Sequence, residues 1–278
     1  MTSGYDLTSA DNPRVKAVAR LRESRQRRKT GLFVAEGVRE ISRARACGLV
    51  MREAYWCPDL FQPAPDIRTN IGMDQPDGPR WFRVTSSLMK KMSYIENPEG
   101  VLAIFEQPAM TWETIEARLA ERSGGPPLFL VAVGTTKPGN LGAMLRTAEA
   151  AGATAVLVSD AVVDLYNPNA IRASTGAIFT LPVIADSAEA IITFLRRHKV
   201  RIYAADPAGN ASYDKVDLRG PIAIVIGAED TGLDDIWRRE ADELVRIDTC
   251  STVVDSLNAA TSAAILLFES LRQRREEK

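Results

Sequence analysis

The chain has 278 residues, of which 45% are hydrophobic and 26% charged, and its formal net charge is −1. This balance is typical of a folded globular protein and excludes a disordered chain, and the length allows one large domain or two ordinary ones. No apolar run reaches the roughly 20 residues of a membrane span, and residues 1–30 lack the apolar core of a signal peptide. We therefore expect a cytoplasmic protein without a membrane partner.

Cysteine and histidine usage limits the chemistry that the chain can carry. Cys47, Cys57 and Cys250 have no paired spacing, which suits a reducing compartment and provides no zinc ligand set. The single histidine, His198, lies in a basic run that favours a solvated helix end. No metal is expected, and chemistry based on a histidine pair is excluded. A Ser-His-Asp triad stays open by count, but it would require His198.

The N-terminal segment is strongly basic although the whole chain is nearly neutral. The sequence Asp11-Asn12-Pro13 predicts the start of a helix that continues to Lys29. Two interpretations of its charge are open, a local contact with a polyanion and an ordinary solvated helix face. Residues 14–29 contain one acid, Glu23, and eight basic residues, which are Arg14, Lys16, Arg20, Arg22, Arg25, Arg27, Arg28 and Lys29.

The first part of the chain predicts a small α/β domain, residues 1–107. Residues 108–127 carry a polar helical stretch and end in a Gly/Pro cluster, so they are the predicted linker. Within the domain the pattern predicts strands at 32–35, 52–56, 81–84 and 100–105, helices at 38–46 and 86–91, and a long loop at 58–79.

Residues 128–278 are predicted to form a second domain. Apolar strands alternate with helices, which favours an open parallel sheet covered on both faces. The predicted strands are 128–133, 155–158, 178–183, 201–205, 221–226 and 244–247, and the main helices are 141–151, 187–197 and 257–272.

Three loops at strand ends are expected to share one crevice, because ligands of such sheets bind at the carboxyl ends of the strands. They are residues 137–140, with Arg146 behind them, residues 227–233 and residues 248–258. Gly227 and Gly232 allow a ligand to approach the backbone closely, although an ordinary turn is an open alternative. For Ser256 and Asn258 the alternative role is a helix N-cap. None of the loops has the glycine pattern of a dinucleotide site or a P-loop, which argues against a dehydrogenase.

Taken together, the three loops resemble the motifs of the SpoU/TrmH-type RNA ribose 2′-O-methyltransferases of the SPOUT superfamily. The resemblance covers residues 128–273, and within the family the chain is most similar to members that act on large-subunit ribosomal RNA. Residues 33–37 more loosely resemble a ribosomal-protein-like substrate-binding domain. The motif residues are Asn140, Leu141, Gly142, Arg146, Thr147 and Ala148, then Ile226, Gly227, Ala228, Glu229, Gly232 and Leu233, then Ser256, Leu257 and Asn258, with a further block at Asn167, Pro168, Ile171, Arg172, Ala173, Ser174, Gly176 and Ala177.

The resemblance implies a C-terminal trefoil knot, S-adenosylmethionine as cofactor and a homodimer. A departure from the family is Asp248-Thr249-Cys250-Ser251, which stands where Pro-Met-x-Gly is usual. By motif position the cofactor-binding residues are Ile226, Gly227, Ala228, Gly232, Ile247 and Leu257, and the catalytic residues are Asn140, Arg146, Glu229, Ser256 and Asn258. The residues expected to bind RNA are Arg25, Arg27, Arg28 and Arg172.

The function implied is methyl transfer to a ribose 2′-hydroxyl of structured RNA, with ribosomal RNA favoured and tRNA as an alternative. A guanidinium stays protonated in proteins, so we expect Arg146 to hold phosphate and the developing alkoxide rather than to act as a base. Glu229 is expected to orient Arg146 or a hydroxyl, with helix capping as its alternative role. A catalytically silent RNA-binding module is the rival interpretation. The C-terminal helix is apolar on all sides at residues 263–268, which predicts that it packs in a homodimer interface, with burial in a larger monomer core as the alternative.

Overall fold

A computed structural model describes residues 6–121, 125–161, 163–250 and 256–276. The chain divides into two compact units, of which the first comprises Met1–Ala109 and Tyr166–Phe179 and the second Met110–Leu165 and Thr180–Lys278. The first unit therefore includes a segment that the sequence assigned to the second domain. The exact residue boundaries of the functional domains stay a prediction.

The first unit is built on a four-stranded sheet in the order β1-β4-β2-β3. Strand β4 pairs antiparallel with both β1 and β2, whereas β2 and β3 pair in parallel. The predicted loop 58–79 contains a short helix, α4. The elements are α1 (Pro13–Arg20), α2 (Ser24–Thr30), β1 (Leu32–Glu36), α3 (Val38–Ala46), β2 (Met51–Trp56), α4 (Pro65–Ile71), β3 (Arg80–Arg83), α5 (Ser86–Met92) and β4 (Val101–Glu106), together with α8 (Pro168–Ala173) and α9 (Ala177–Thr180).

The basic N-terminal segment forms two helices, so the prediction of one continuous helix is wrong. Helix α1 starts as expected, with the Asn12 side chain accepting a hydrogen bond from the Arg14 amide at 2.9 Å. At the break, the Arg27 guanidinium is 1% exposed, and its Nη1 donates to the carbonyls of Leu21 at 2.6 Å and Arg22 at 2.8 Å. These carbonyls lie where the helical ladder ends and have to find other donors. Arg27 therefore stabilises the turn between the helices.

An aromatic cluster explains why residues 166–179 pack with the first unit. The Phe33 ring of β1 stacks on Phe105, Tyr166 and Phe179, with centroid distances of 5.7, 4.9 and 5.6 Å. The predicted strand 178–183 is wrong, since residues 177–180 are helical and the next strand begins only after Pro182. Proline has no amide hydrogen for a strand ladder, which is consistent with a strand that starts at the following residue.

The second unit contains a seven-stranded sheet in the order β7-β6-β5-β10-β8-β11-β9. All six strand pairs are parallel, which confirms the predicted parallel α/β architecture. The elements are α6 (Trp112–Ala120), β5 (Leu128–Val133), α7 (Pro138–Ala150), β6 (Ala155–Ser159), β7 (Val183–Asp186), α10 (Ala188–Arg197), β8 (Arg201–Ala205), β9 (Ala211–Ser212), β10 (Ile222–Ile226), α11 (Asp235–Glu240), β11 (Glu243–Arg246) and α12 (Ala259–Glu276).

The core of this unit lies on both faces of the central strands. Every residue of β5, β6 and β10 is buried, as expected for parallel strands covered by helices. On one face the Trp237 side chain is fully buried, and its Nε1 donates to the Ser159 Oγ at 3.2 Å. On the other face α7 packs against α12. Within the described residues, no helix has both the length and the apolar composition to cross a membrane.

Candidate active site at the carboxyl edge of the parallel sheet

A cleft of about 710 Å³ lies at the carboxyl ends of three neighbouring strands, β10, β8 and β11. Its walls are the loops that follow these strands and the start of α12. This volume is within the range of small-molecule sites, and the position is the one where open α/β sheets bind ligands. The cleft is lined by all six of the residues predicted to bind the cofactor, which are Ile226, Gly227, Ala228, Gly232, Ile247 and Leu257.

The loop after β10 is closed on itself by backbone contacts. The amide of Ala228 donates to the Gly232 carbonyl at 3.0 Å, and the Gly232 amide returns a bond to the Ala228 carbonyl at 2.9 Å. A Cβ atom at Gly227 would lie 2.4 Å from the Gly232 carbonyl carbon and 2.6 Å from the Leu233 nitrogen. Gly232 itself has φ +69°, the left-handed region that favours glycine. The loop is therefore a turn, and both glycines are required by its geometry.

An ion pair that sequence reasoning missed joins two of the cleft walls. Asp206, after β8, is 4% exposed and pairs with the Arg238 guanidinium of α11. The other Asp206 oxygen accepts the Ala208 amide at 2.9 Å, and Arg238 Nε donates to the Leu233 carbonyl at 3.3 Å. Together these bonds connect the loop after β8 to the loop after β10, residues 227–233, which we call the glycine loop. Residues 206 and 238 are 32 positions apart, so no local pattern in the sequence indicates this pair.

The third wall follows β11 and is held by Arg246 and Asp248. Arg246 Nη1 donates to the carbonyls of Gly209 and Asn210 at 3.0 and 2.9 Å, and its Nε donates to Asp248 Oδ1 at 2.7 Å. A hydrogen bond from the Ser212 hydroxyl, and next the Arg246 guanidinium, lower the pKa of the Asp248 carboxyl below its usual value. Of the unusual segment 248–251, Ser251 lies outside the described residues.

Three of the predicted catalytic residues form one polar cluster. Asn140, in the first turn of α7, donates from its Nδ2 to the Glu229 carboxylate. Asn258 Nδ2 donates to Asn140 Oδ1 at 3.4 Å. Asn258 also caps α12, because its Oδ1 accepts the amides of Ala260 and Thr261 at 2.9 and 3.4 Å. The two roles first considered as alternatives for Asn258 are thus compatible, since one uses the oxygen and the other the nitrogen.

In the described residues, only one of the two Glu229 carboxylate oxygens accepts a hydrogen bond. Its Oε1 accepts from Asn140, whereas its Oε2 is buried and has no hydrogen-bond partner among the described residues. The alternative role of helix cap is wrong, because α11 begins at Asp235 with Asp234 in the N-cap position. A buried acceptor without a donor is costly, so this oxygen is the point of the cluster most suited to receive a donor from a ligand.

The remaining predicted catalytic residues are placed differently. Ser256 is exposed and lines the cleft. Arg146 is exposed on α7, about 9 Å along the helix axis from Asn140. In the part of the chain that the structure describes, its guanidinium makes no hydrogen bond or ion pair. The structure therefore does not join Arg146 to the polar cluster of its own chain.

Not all of the residues predicted to bind RNA are exposed to solvent. Arg25 and Arg28 are exposed on α2, and Arg172 is exposed on α8. Arg27 is buried and bonded to backbone carbonyls, so the prediction that it binds RNA is wrong. Among the residues with described positions, no group of three His, Cys, Asp or Glu side chains is arranged to hold a metal ion.

The parallel sheet, the closed glycine loop and the amide–carboxylate cluster define an α/β enzyme with its ligand site at the strand ends. The chain belongs to the SpoU rRNA methylase family, whose model matches residues 127–268. A second family model, the MRM3-like substrate binding domain, matches residues 12–103. Both matches agree with the family and the N-terminal domain that the sequence motifs indicated.

Comparison with individual relatives and solved structures supports the same family. The 23S rRNA (guanosine-2′-O-)-methyltransferase RlmB of Pseudomonas syringae pv. tomato is 38% identical over 179 residues, which are 63% of this chain and 70% of the relative. A crystal structure of an RNA 2′-O ribose methyltransferase is 39% identical with a TM-score of 0.82, covering 97% of this chain and 99% of the other. The SpoU methyltransferase AviRb from Streptomyces viridochromogenes, in complex with AdoMet, is 26% identical with a TM-score of 0.84, covering 95% and 98%.

Proposed function

We propose that the protein transfers a methyl group from S-adenosylmethionine (AdoMet) to the 2′-hydroxyl of a ribose in ribosomal RNA. The observation that carries this conclusion is the cluster of Asn140, Glu229 and Asn258, in a chain of the SpoU family. RlmB, by its name, acts on 23S rRNA, and AviRb has been solved with AdoMet. Ribosomal RNA is therefore preferred to tRNA as the substrate. The intact cluster also argues against a silent RNA-binding module.

The residues of the cleft suit AdoMet as a ligand. The cleft volume of about 710 Å³ is sufficient for a nucleoside with an amino-acid side chain. Gly227 has no Cβ, which allows the loop to close into the turn that forms this wall, and Ile226, Ile247 and Leu257 offer apolar contacts. These residues, with Ala228 and Gly232, would hold the cofactor, which supplies an activated methyl group.

The chain's own task is to align the ribose hydroxyl and stabilise its oxygen as the proton leaves. The buried Oε2 of Glu229 accepts a hydrogen bond from the hydroxyl or from a guanidinium, and Asn140 holds the carboxylate in place. Asn258 fixes Asn140 and is itself fixed by capping α12. Arg146 binds the phosphate next to the reacting ribose and the developing alkoxide, the proton passes to phosphate or water, and Ser256 is a further hydroxyl at the cleft.

Incubation of 23S rRNA with the protein and AdoMet labelled in its methyl group tests this function directly. We expect the label in 2′-O-methylated nucleosides after complete digestion of the RNA. Label in a base, or in tRNA but not in rRNA, would contradict the proposal.

We also propose a homodimer in which Arg146 of one chain acts at the cofactor of the other. Arg146 has no partner in the described part of its own chain, and on α12 the Phe268 side chain is 47% exposed. Helices α7 and α12 pack together, so Arg146 and Phe268 belong to the same helix pair. The C-terminal trefoil knot that the resemblance implies is part of the same proposal. Its support is the position of β10, which lies between β5 and β8 although it follows both in the chain.

Sedimentation at micromolar concentration should give a dimer of this 30.4 kDa chain. If the site is shared, mixing Arg146→Ala with Gly227→Ala protein should restore about a quarter of the wild-type activity, because half of the random dimers carry one complete site. A fully active monomer, or an inactive mixture of subunits shown to exchange, would contradict the shared site.

The exposed basic residues of α1 and α2 are proposed to bind the RNA backbone. Changing Arg20, Arg25 and Arg28 to alanine should weaken RNA binding and reduce the slope of log K against log salt by about 2 to 3, roughly one for each lost phosphate contact. The measurement is fluorescence anisotropy with an rRNA fragment at several salt concentrations. Changing the exposed Arg239, Lys199 and Lys215 of the second unit provides the control. An unchanged slope in the first variant would mean that the helices are merely solvated.

A further inference from the structure

The first unit contains a small polar cavity that has no role in the methyl-transfer site. It has a volume of about 60 Å³ and lies among the end of β1, the loop 94–99 and α8. Its lining combines carboxylates, guanidinium groups and one aromatic ring, chiefly Glu36, Glu99, Arg39, Arg172 and Tyr94. This space holds a few water molecules but not a whole nucleobase. Any larger ligand therefore inserts only an edge.

Hydrogen bonds hold the floor of the cavity, and its rim is open. The Glu36 carboxylate accepts the backbone amides of Tyr94 and, at 3.5 Å, Ile95, which fixes the start of the loop. Burial raises the pKa of the Glu36 carboxyl above its usual value, against the opposing effect of these hydrogen bonds. The Tyr94 hydroxyl accepts from Asn169 Nδ2 at 3.1 Å, yet the residue remains 39% exposed. Tyr94 thus presents an anchored but accessible ring.

Glu99 is the carboxylate that remains available at this rim. It is exposed, and within the described residues it makes no hydrogen bond or ion pair. Its carboxylate lies against the Gly37 backbone, since a Cβ atom there would be 2.9 Å from Glu99 Oε2. Glu40, by contrast, is buried and occupied by Arg39, whose Nη2 lies 2.7 Å from its Oε1.

The carboxylates that line the cavity determine which chemical groups of a ligand can bind there. Carboxylates repel a phosphate inside the cavity, but they accept hydrogen bonds from the N–H groups of a base edge. Guanine offers two adjacent donors, N1–H and the N2 amino group, which match one carboxylate. Uracil offers a single N–H between two carbonyl oxygens, which a carboxylate repels. Unpaired RNA bases are recognised in this way, by stacking on an aromatic ring and by hydrogen bonds to their Watson–Crick edge.

We propose that this cavity reads an unpaired guanine of the RNA substrate. Glu99 accepts from the guanine edge, Tyr94 stacks on the ring outside the cavity, and the exposed Arg39 and Arg172 bind the flanking phosphates. The proposal rests on the proposed function, since it assigns to the N-terminal unit a base-selective contact with the same RNA. It adds sequence preference to the charge-based binding by α1 and α2.

RNA hairpins that differ only in one bulged nucleotide, G, A, C or U, test the proposal by fluorescence anisotropy at fixed salt. Wild-type protein should bind the G hairpin about tenfold more tightly than the U hairpin, the scale of one bidentate base contact. Glu99→Gln should remove this preference, whereas Glu96→Gln, a change of an exposed neighbour, should keep it. Tyr94→Ala should weaken binding of all four hairpins about tenfold, and Tyr94→Phe should keep the affinity because the ring is retained.

The outcomes separate this proposal from the proposed function. Equal affinity of wild-type protein for the four hairpins, or equal effects of Glu99→Gln and Glu96→Gln, would overturn the guanine site without affecting methyl transfer to rRNA. Displacement of the G hairpin by an equal concentration of guanosine monophosphate would assign the cavity to a free nucleotide and also overturn it. Unchanged melting temperatures for the variants exclude misfolding as the cause of any loss.

Discussion

Replacing Arg146 by alanine is expected to lower the rate of methyl transfer by at least about 100-fold, the scale of losing one electrostatic stabiliser. The affinity for AdoMet should stay within a few-fold, because the proposed role of Arg146 is to bind the RNA phosphate and the developing alkoxide and not to hold AdoMet. Single-turnover transfer of labelled methyl groups gives the rate, and isothermal titration gives the affinity.

Two further variants make the Arg146 result specific. Arg146→Lys should not restore activity, because an ammonium group cannot bond two oxygens in the geometry of a guanidinium. Glu149→Ala changes another exposed residue of the same helix and should leave the rate unchanged. Near-normal turnover of Arg146→Ala would remove Arg146 from the chemical step.

Gly227→Ala is expected to lower AdoMet affinity by about 5- to 150-fold, the equivalent of the roughly 1–3 kcal/mol that an overpacked contact costs. The added Cβ would lie 2.4 Å from the backbone of Gly232, so the loop that closes the cleft has to move. Isothermal titration with AdoMet is the measurement, with circular dichroism to confirm folding.

The matched control for this variant is Gly220→Ala in the same unit. A Cβ at Gly220 meets no atom within 4 Å, and its φ lies outside the left-handed region, so AdoMet binding should be unchanged. If Gly227→Ala bound AdoMet as tightly as the control, the glycine loop would not be the cofactor wall.

The architecture of the second unit was predictable because the sequence patterns that specify its strands and helices each lie within a short stretch of the chain. Each central strand is a continuous apolar run, and each run is followed by a loop and a helix, so the parallel sheet and its carboxyl edge followed from the pattern. The polar residues at that edge were found through motif resemblance. Their mutual contact, Asn140 to Glu229 and Asn258 to Asn140, required the structure.

What the sequence did not predict depends on long-range contacts. Arg27 was indistinguishable from its basic neighbours, and only the break between α1 and α2 buries it. Residues 178–183 are apolar enough for a strand, yet Phe179 stacks on Phe33 and residues 177–180 are helical. The Asp206–Arg238 pair joins two loops brought together by the sheet. In each case a residue far away in the sequence determines the local conformation or burial, which local propensity predicts poorly.

The main-chain neighbours of Gly227 have a genetic consequence. A substitution that collides with a side chain can be suppressed elsewhere, by shortening that side chain. The Cβ of a substituted Gly227 would meet the backbone of Gly232 and Leu233, which every amino acid possesses. No second-site mutation shortens a main chain, so in a selection for recovered activity Gly227→Ala should yield true revertants and no suppressors at its contact residues.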